Sequence, residues 1–216
     1  MTRQPSIVPA PAPPVIVRAL RPQDVDAVVG LHCRAFPGFF LTVLGPRFLR
    51  EFYRRFADQP SAIAVVAVDP ESGGLVGFAV GASNPRGFYR QILQGHWWRF
   101  ALAALPTVIR HPSCAGRVAR ALQRPGESRA SAANAELFSI AVNPLEQGRA
   151  VGRALLEQFL AHARDGGCYS VSLTTDADDN AATNAFYARR GFTLRRSYVT
   201  PEGRHMHEYE FRWEVS

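Results

Sequence analysis

Apolar positions along the chain switch repeatedly between the two-residue period of a strand and the 3.6-residue period of a helix. Residues 15–20 predict a first strand. Pro22 then suits a first helical turn, and Asp24 and Asp26 suit the positive end of a helix. Val25, Val28, Val29 and His32 share one face, so the helix is predicted to reach about Ala35. Pro37-Gly38 breaks it and leaves Phe39, Phe40 and Leu41 in a loop. A second helix is predicted over 46–57, with Phe48, Leu49, Phe52 and Phe56 on one stripe. Residues 62–68 and 75–81 read as two strands joined through Asp69-Pro70 and Gly73-Gly74. A fourth strand, 136–142, ends at Asn143-Pro144. A helix follows over 148–164, where Val151, Leu155, Phe159 and Ala163 repeat at i+4 before Gly166-Gly167 closes it. Residues 169–174 form a fifth strand, and a short helix runs from an Asn180 N-cap to a Gly191 C-cap. Residues 192–200 and 205–213 complete the chain as a hairpin.

Between the third and fourth predicted strands lies a segment of different character, 86–129. It holds eight arginines and one acid, Glu127, a difference of +7 that equals the formal net charge of the whole chain. The remaining sequence is therefore neutral overall. Periodicity predicts two helical pieces, broken near Pro106 and at His111-Pro112. Trp97, Trp98, Arg99 and Phe100 stand together there. The segment fits an acceptor lid, a dimer contact, a membrane-surface helix, or a solvated subdomain whose aromatics pack on the core. Charge alone admits nucleic acid, but no nucleic-acid motif accompanies it, so no specific nucleic-acid partner is expected.

Composition removes several chemistries. All 25 basic side chains are arginine. A Schiff-base lysine, a Walker lysine and a kinase lysine are thereby excluded. Cys33, Cys114 and Cys168 are odd in number and widely spaced, without metal or disulfide spacing, which predicts a reducing, cytoplasmic setting. Residues 1–14 hold five prolines and no apolar signal core, so a disordered tail is expected. The longest apolar run, 97–109, is interrupted by Arg99 and Pro106 and is too short for a bilayer, which takes about 20 residues.

The stretch 136–192 carries the chemistry. The strand Glu136-Leu137-Phe138-Ser139-Ile140-Ala141-Val142 leads into Gln147-Gly148-Arg149-Ala150-Val151-Gly152-Arg153, which opens a helix. A strand that turns through small residues into a helix aims several amides at one point, which suits a diphosphate. Two glycines weaken a first helical turn by roughly 1 kcal/mol each relative to alanine. That cost points to a use for close backbone approach. Downstream, 180–187 ends in Phe186-Tyr187, and Gly191-Phe192 follows.

These motifs resemble the GNAT family of N-acetyltransferases. Gln147 to Gly152 matches the family's Gln/Arg-x-x-Gly-x-Gly/Ala pattern at its first and last positions, with Ala150 in place of the usual glycine. Residues 180–187 resemble its Asn-x-x-Ala-x-x-Phe-Tyr pattern, with Thr183 in place of alanine. The resemblance is strong over 136–192 and looser over 15–81, and 86–129 has no counterpart in it. It implies the α/β GNAT acyl-CoA N-acyltransferase fold, a mixed curved sheet of six to seven strands flanked by helices. One domain would span 15–216, with 86–129 as a helical insertion between the third and fourth strands.

The resemblance also implies an activity: transfer of an acetyl or other short acyl group from acetyl-CoA to a primary amine of a small molecule. The amine would attack directly, since no cysteine has a nucleophile's setting. Gln147, Gly148, Arg149, Ala150, Val151, Gly152 and Arg153 would hold the diphosphate, and Asn180 would join them on the coenzyme side. The backbone of Ile140, Ala141 and Val142 would pair with the pantetheine arm, and one of their N–H groups would polarise the thioester carbonyl. Tyr187 would protonate the departing thiolate. Glu136 would serve as the base, with Asp176, His205 and His207 as other candidates. His205 and His207 share a strand face, but no third ligand is evident and no metal is expected. An arginine-rich flap from 86–129 would favour an anionic acceptor and repel a polyamine. The alternative is a non-catalytic acyl-CoA-binding sensor or interaction module. A monomer or a homodimer fits either.

Overall fold

The structure, a computed structural model, describes residues 15–93, 96–110, 116, 133–146 and 149–214. Gln147, Gly148, the 1–14 tail and the His111-Pro112 break therefore lie outside the described residues. Seven strands form one sheet: β1 (Ile16–Ala19), β2 (Ala62–Val68), β3 (Leu75–Ser83), β4 (Ala135–Val142), β5 (Ser170–Asp176), β6 (Thr193–Val199) and β7 (His205–Arg212). Their order is β1-β2-β3-β4-β5-β7-β6. Every described pairing is antiparallel except β4 with β5.

Two helical layers cover the sheet. On one face lie α1 (Val25–Ala35), α2 (Phe40–Val43), α3 (Pro46–Asp58), α4 (Pro85–Leu93) and α5 (Trp97–Arg110). Their core joins Val28, Leu31, Leu49, Tyr53, Phe56, Phe88 and Phe100 to Val66, Phe78 and Val80. On the other face lie α6 (Val151–Asp165) and α7 (Ala181–Ala188). There Val151, Leu155, Leu156, Phe159 and Tyr187 pack on Val65, Ala79, Leu137, Leu173 and Tyr209. The i+4 apolar repeat of α6 and the aromatic stripe of α3 are the inward faces of these layers.

Three local expectations are corrected. Residues 40–43, read as loop, form one helical turn, because the Thr42 hydroxyl donates to the Phe36 carbonyl at 2.7 Å and folds the chain back. The helix expected from Gly148 begins at Val151, because Ala150 takes a left-handed conformation, φ 57° and ψ 14°. The break expected at Pro106 is absent: α5 runs through it. Proline removes only the hydrogen bond to Leu102, whose side of the helix is exposed and whose carbonyl water can serve.

The feature that positions the site is a bulge in β4. Val80 pairs with Ser139 and Gly81 with Leu137, so Phe138 is the extra residue. Its ring packs at 5.4 Å from Phe88 and 6.3 Å from Phe56. Gly81 lies so close to β4 that a Cβ there would meet the Glu136 carbonyl oxygen at 2.0 Å and the Phe159 ring at 2.7 Å. At Gly152, by contrast, a Cβ would meet only Val142 at 3.6 Å and Phe186 at 3.9 Å. Gly81→Ala is therefore expected to cost about 1–3 kcal/mol or more through overpacking, whereas Gly152→Ala leaves the melting temperature unchanged or raised. Thermal denaturation of the two variants checks this contrast.

Candidate active site

β4 and β5 pair at only three positions: Ala135 with Val171, Glu136 with Ser172 and Leu137 with Leu173. Beyond them the strands part. β4 continues to Val142 against β3, and β5 continues to Asp176 against β7. The facing edges of 138–142 and 174–176 are thus unpaired with each other. A cleft of about 510 Å³ occupies the fork. Its strand walls include Leu137, Ser139, Ile140, Leu173, Thr174 and Asp176. Phe36, Phe39, Phe40 and Leu41 close it from the α1–α2 side, and Thr183 and Tyr187 from α7.

The N-terminus of α6 stands beside Val142, as the contact geometry at Gly152 shows. α6 has an N-cap residue, Ala150, with no side chain to cap it. Its first amides therefore have no intrahelical acceptor and carry the positive end of the helix dipole. The turn before it is anchored from a distance. Arg149 donates to Asp69 at 3.1 Å in the β2–β3 turn and also to Glu146. The Ser72 amide first, and Arg149 after it, hold the Asp69 carboxyl below its usual range. The Arg149 side chain is thereby engaged in structure, while its backbone stays in the turn. Arg153 pairs with Glu157 at 2.7 Å on the exposed side of α6. Ile140, Ala141 and Val142 lie on the open edge of β4, and Ala150, Val151 and Gly152 form the turn and first residues of α6.

Asn180 precedes α7 but caps nothing with its side chain. Its Nδ2 donates instead to Thr175 Oγ1 at 2.7 Å and to the Asp176 carbonyl at 3.1 Å, tying the end of β5 to α7. Tyr187 is only 5% exposed and reaches the cleft from that helix. Phe186 and Phe192 hold its ring edge-on at 5.3 and 5.6 Å. Burial pushes its phenol well above the ordinary value, so it stays protonated through neutral pH.

The acid and histidine candidates separate. Glu136 sits in the closed part of the fork and is not among the cleft-lining residues. Asp176 lines the cleft but is gripped by Arg204, at 2.7 Å and 2.9 Å from one guanidinium nitrogen. Arg204 also lies 4.7 Å over the Phe39 ring, so it bridges the two sides of the mouth. His205 bonds Asp178 at 3.0 Å and His207 bonds Ser197 at 2.8 Å, and neither lines the cleft. Among the described residues no group of three or more His, Cys, Asp or Glu is placed to hold a metal. The described insertion arginines Arg86, Arg99 and Arg110 do not line the cleft, and the other five lie outside the described side chains.

Sequence reasoning missed His32. It is 2% exposed, lines the cleft from α1, and bonds the buried Tyr53 hydroxyl through Nδ1 at 2.6 Å. Its Nε2 is buried without a partner. Only the presence of a histidine on the apolar face of α1 signalled it.

A seven-stranded mixed sheet that splits at its parallel pair, beside a helix N-terminus, is the architecture of the GNAT acetyltransferases. The chain belongs to the acetyltransferase (GNAT) family, whose profile matches residues 26–192. A mycothiol acetyltransferase of Salinispora tropica is 29% identical over 206 residues, covering 91% of this chain and 52% of that protein. The [ribosomal protein bS18]-alanine N-acetyltransferase of Escherichia coli K12 is 42% identical over 74 residues, covering 32% of this chain and 49% of that protein. The matches thus span about half the length of each of these relatives. Among solved structures, SsHAT superposes with a TM-score of 0.62 at 24% identity, covering 91% of this chain and 98% of that one.

Burial depresses the His32 pKa from 6.5 to about 4. A histidine kept neutral in the fold but free to protonate when unfolded stabilises the protein above pH 6.5, and that contribution is lost as pH falls toward 4. The loss amounts to up to about 3 kcal/mol. Melting temperature should drop between pH 6.5 and 4 in the wild type and drop less in His32→Phe. Equal slopes in that window would show that His32 is not held neutral.

Proposed function

We propose that this chain transfers an acetyl or other short acyl group from acetyl-CoA to a primary amine of a compact, small-molecule acceptor. The observation that carries the reading is the fork: two parallel strands diverge after three residue pairs, and the α6 N-terminus, whose N-cap Ala150 has no capping side chain, stands beside the open β4 edge at Val142. The helix supplies amides for the diphosphate, and the open edge of β4 supplies backbone partners for an extended arm. Acetyl-CoA brings an activated thioester. The protein's residues hold it, aim it and manage protons.

On this reading Gln147 to Arg153 cradle the diphosphate mainly through backbone groups, since Arg149 and Arg153 spend their side chains on acids. Ile140, Ala141 and Val142 align the arm, and one N–H beyond the bulge polarises the thioester carbonyl. Tyr187 donates to the sulfur as it departs. Its raised pKa keeps the proton in place beforehand, and a bare thiolate beside so buried a phenol is costly, which favours accepting that proton. Glu136 takes the amine proton through water, because the closed fork sets it back from the cleft. The mouth bridged by Arg204, Asp176 and Phe39 favours a compact acceptor over a polypeptide.

One observation favours a second reading, a non-catalytic acyl-CoA sensor: the carboxylate that does line the cleft, Asp176, is engaged by Arg204.

The deciding experiment is an amine panel with acetyl-CoA, read as free thiol release, alongside calorimetry with coenzyme A. Turnover on at least one small amine is expected. Gly152→Glu, which sets a carboxylate at the helix N-terminus, should abolish coenzyme A binding while the fold survives. Tyr187→Phe should bind coenzyme A normally and turn over about 10²–10⁴-fold more slowly. Binding without turnover on any amine would establish the sensor. Unchanged affinity in Gly152→Glu would move the coenzyme elsewhere.

A further inference from the structure

Helix α5 is apolar on two opposite faces. One face docks on α3: Phe100 and Ala104 are buried, and Phe100 meets Phe48 edge-on at 5.2 Å. The Thr107 hydroxyl on the same side donates to the Leu44 carbonyl at 3.1 Å. Trp98, Leu102, Leu105 and Ile109 recur at intervals of four, three and four, which places them within roughly 60° of arc on the opposite side. These four are between 47 and 69% exposed, and Trp97 beside them is 64% exposed. A helix already seated by one face has no packing need for such a stripe on the other. Contiguous exposed apolar surface of this kind marks an interaction site.

Charge selects the partner. From Pro85 to Arg110 the sequence holds Arg86, Arg90, Arg99 and Arg110 and no acid, and the one described acid beside α5, Glu51 at 3.9 Å from Arg99, leaves the segment positive. A second copy meeting this face symmetrically would bring two such segments together and be repelled. A nucleic-acid backbone would engage the arginines and leave the apolar stripe in water. An anionic bilayer satisfies both. The stripe enters the boundary between headgroups and acyl chains, the two tryptophans sit at headgroup depth, and Arg110 meets phosphates. Among the described residues no helix is long and apolar enough to cross a membrane, so α5 would lie on the surface.

We propose that α5 docks the protein on an anionic phospholipid surface through Trp98, Leu102, Leu105 and Ile109, with Arg110 at its end supplying the attraction. This does not depend on the acetyl-transfer reading, because the stripe faces away from α3 and none of its residues lines the cleft.

The test is flotation of the full chain with vesicles of phosphatidylcholine alone or mixed with phosphatidylglycerol. Binding is expected to the mixed vesicles, to weaken as salt rises, and to be negligible on phosphatidylcholine. The triple variant Leu102→Gln, Leu105→Gln, Ile109→Gln changes only exposed positions, so its melting temperature and coenzyme A affinity should match the wild type. Its vesicle partitioning should fall at least tenfold. Arg110→Gln should lower partitioning about fivefold. Failure to float with the mixed vesicles would overturn the proposal, as would a triple variant that floats like the wild type. A sedimenting dimer that the triple variant abolishes, without vesicle binding, would assign the stripe to a second copy instead.

Discussion

Everything functional in this molecule depends on how briefly β4 and β5 hold together. Three residue pairs join them, and beyond Leu137 and Leu173 each strand follows its other neighbour. A strand edge left without a partner in a folded core is costly unless water or a ligand serves its backbone groups. The fork is therefore kept open by packing on both sides. The β4 bulge sends Phe138 against the paired rings of Phe56 and Phe88, Gly81 allows β3 to follow it, and α6 and α7 fill the opposite face. On the far wall, Asn180 ties the end of β5 to α7. The opening is thus built into the core on both sides of the sheet.

The end of the fork proposed to bind the diphosphate has a structural price, set by one residue and one ion pair. Ala150 adopts a left-handed conformation that costs an L-residue roughly 1–2 kcal/mol. It is stabilised there by Arg149, which spans Asp69 and Glu146 and ties the turn to the β2–β3 connection. The guanidinium is neutralised by its acids, so the local positive potential comes from amides of the helix more than from side chains. That division would let a chain with 25 arginines build the proposed diphosphate site from backbone.

Much of this was legible in the sequence, for identifiable reasons. Strands and helices declared themselves through period and through punctuation such as Pro37-Gly38, Asn143-Pro144 and Gly166-Gly167, which act locally. The family motifs at 147–152 and 180–187 are also contiguous. What escaped was non-local or depended on geometry. The pairing of Arg149 with Asp69 crosses 80 residues. The bulge at Phe138 exists only in register with β3, and no residue in 136–142 announces it. His32 looked like one more position on an apolar face until the cleft formed beside it. The stripe on α5 could not be told from a buried face, because period reveals that a helix has an apolar side and not what covers it. Proline at 106 misled because its effect depends on whether the freed carbonyl faces water.

The central claim is that acetyl-CoA lies in the fork with its arm along β4 and its diphosphate at α6. Amide hydrogen exchange on the full chain, with and without acetyl-CoA, tests it most directly. Slowed exchange is predicted at 139–142 and at 151–153, with β1 and β6 unchanged, because ligand would newly protect an open strand edge and a helix end. Binding confirmed by calorimetry, with those amides exchanging as before and protection appearing elsewhere, would contradict the account.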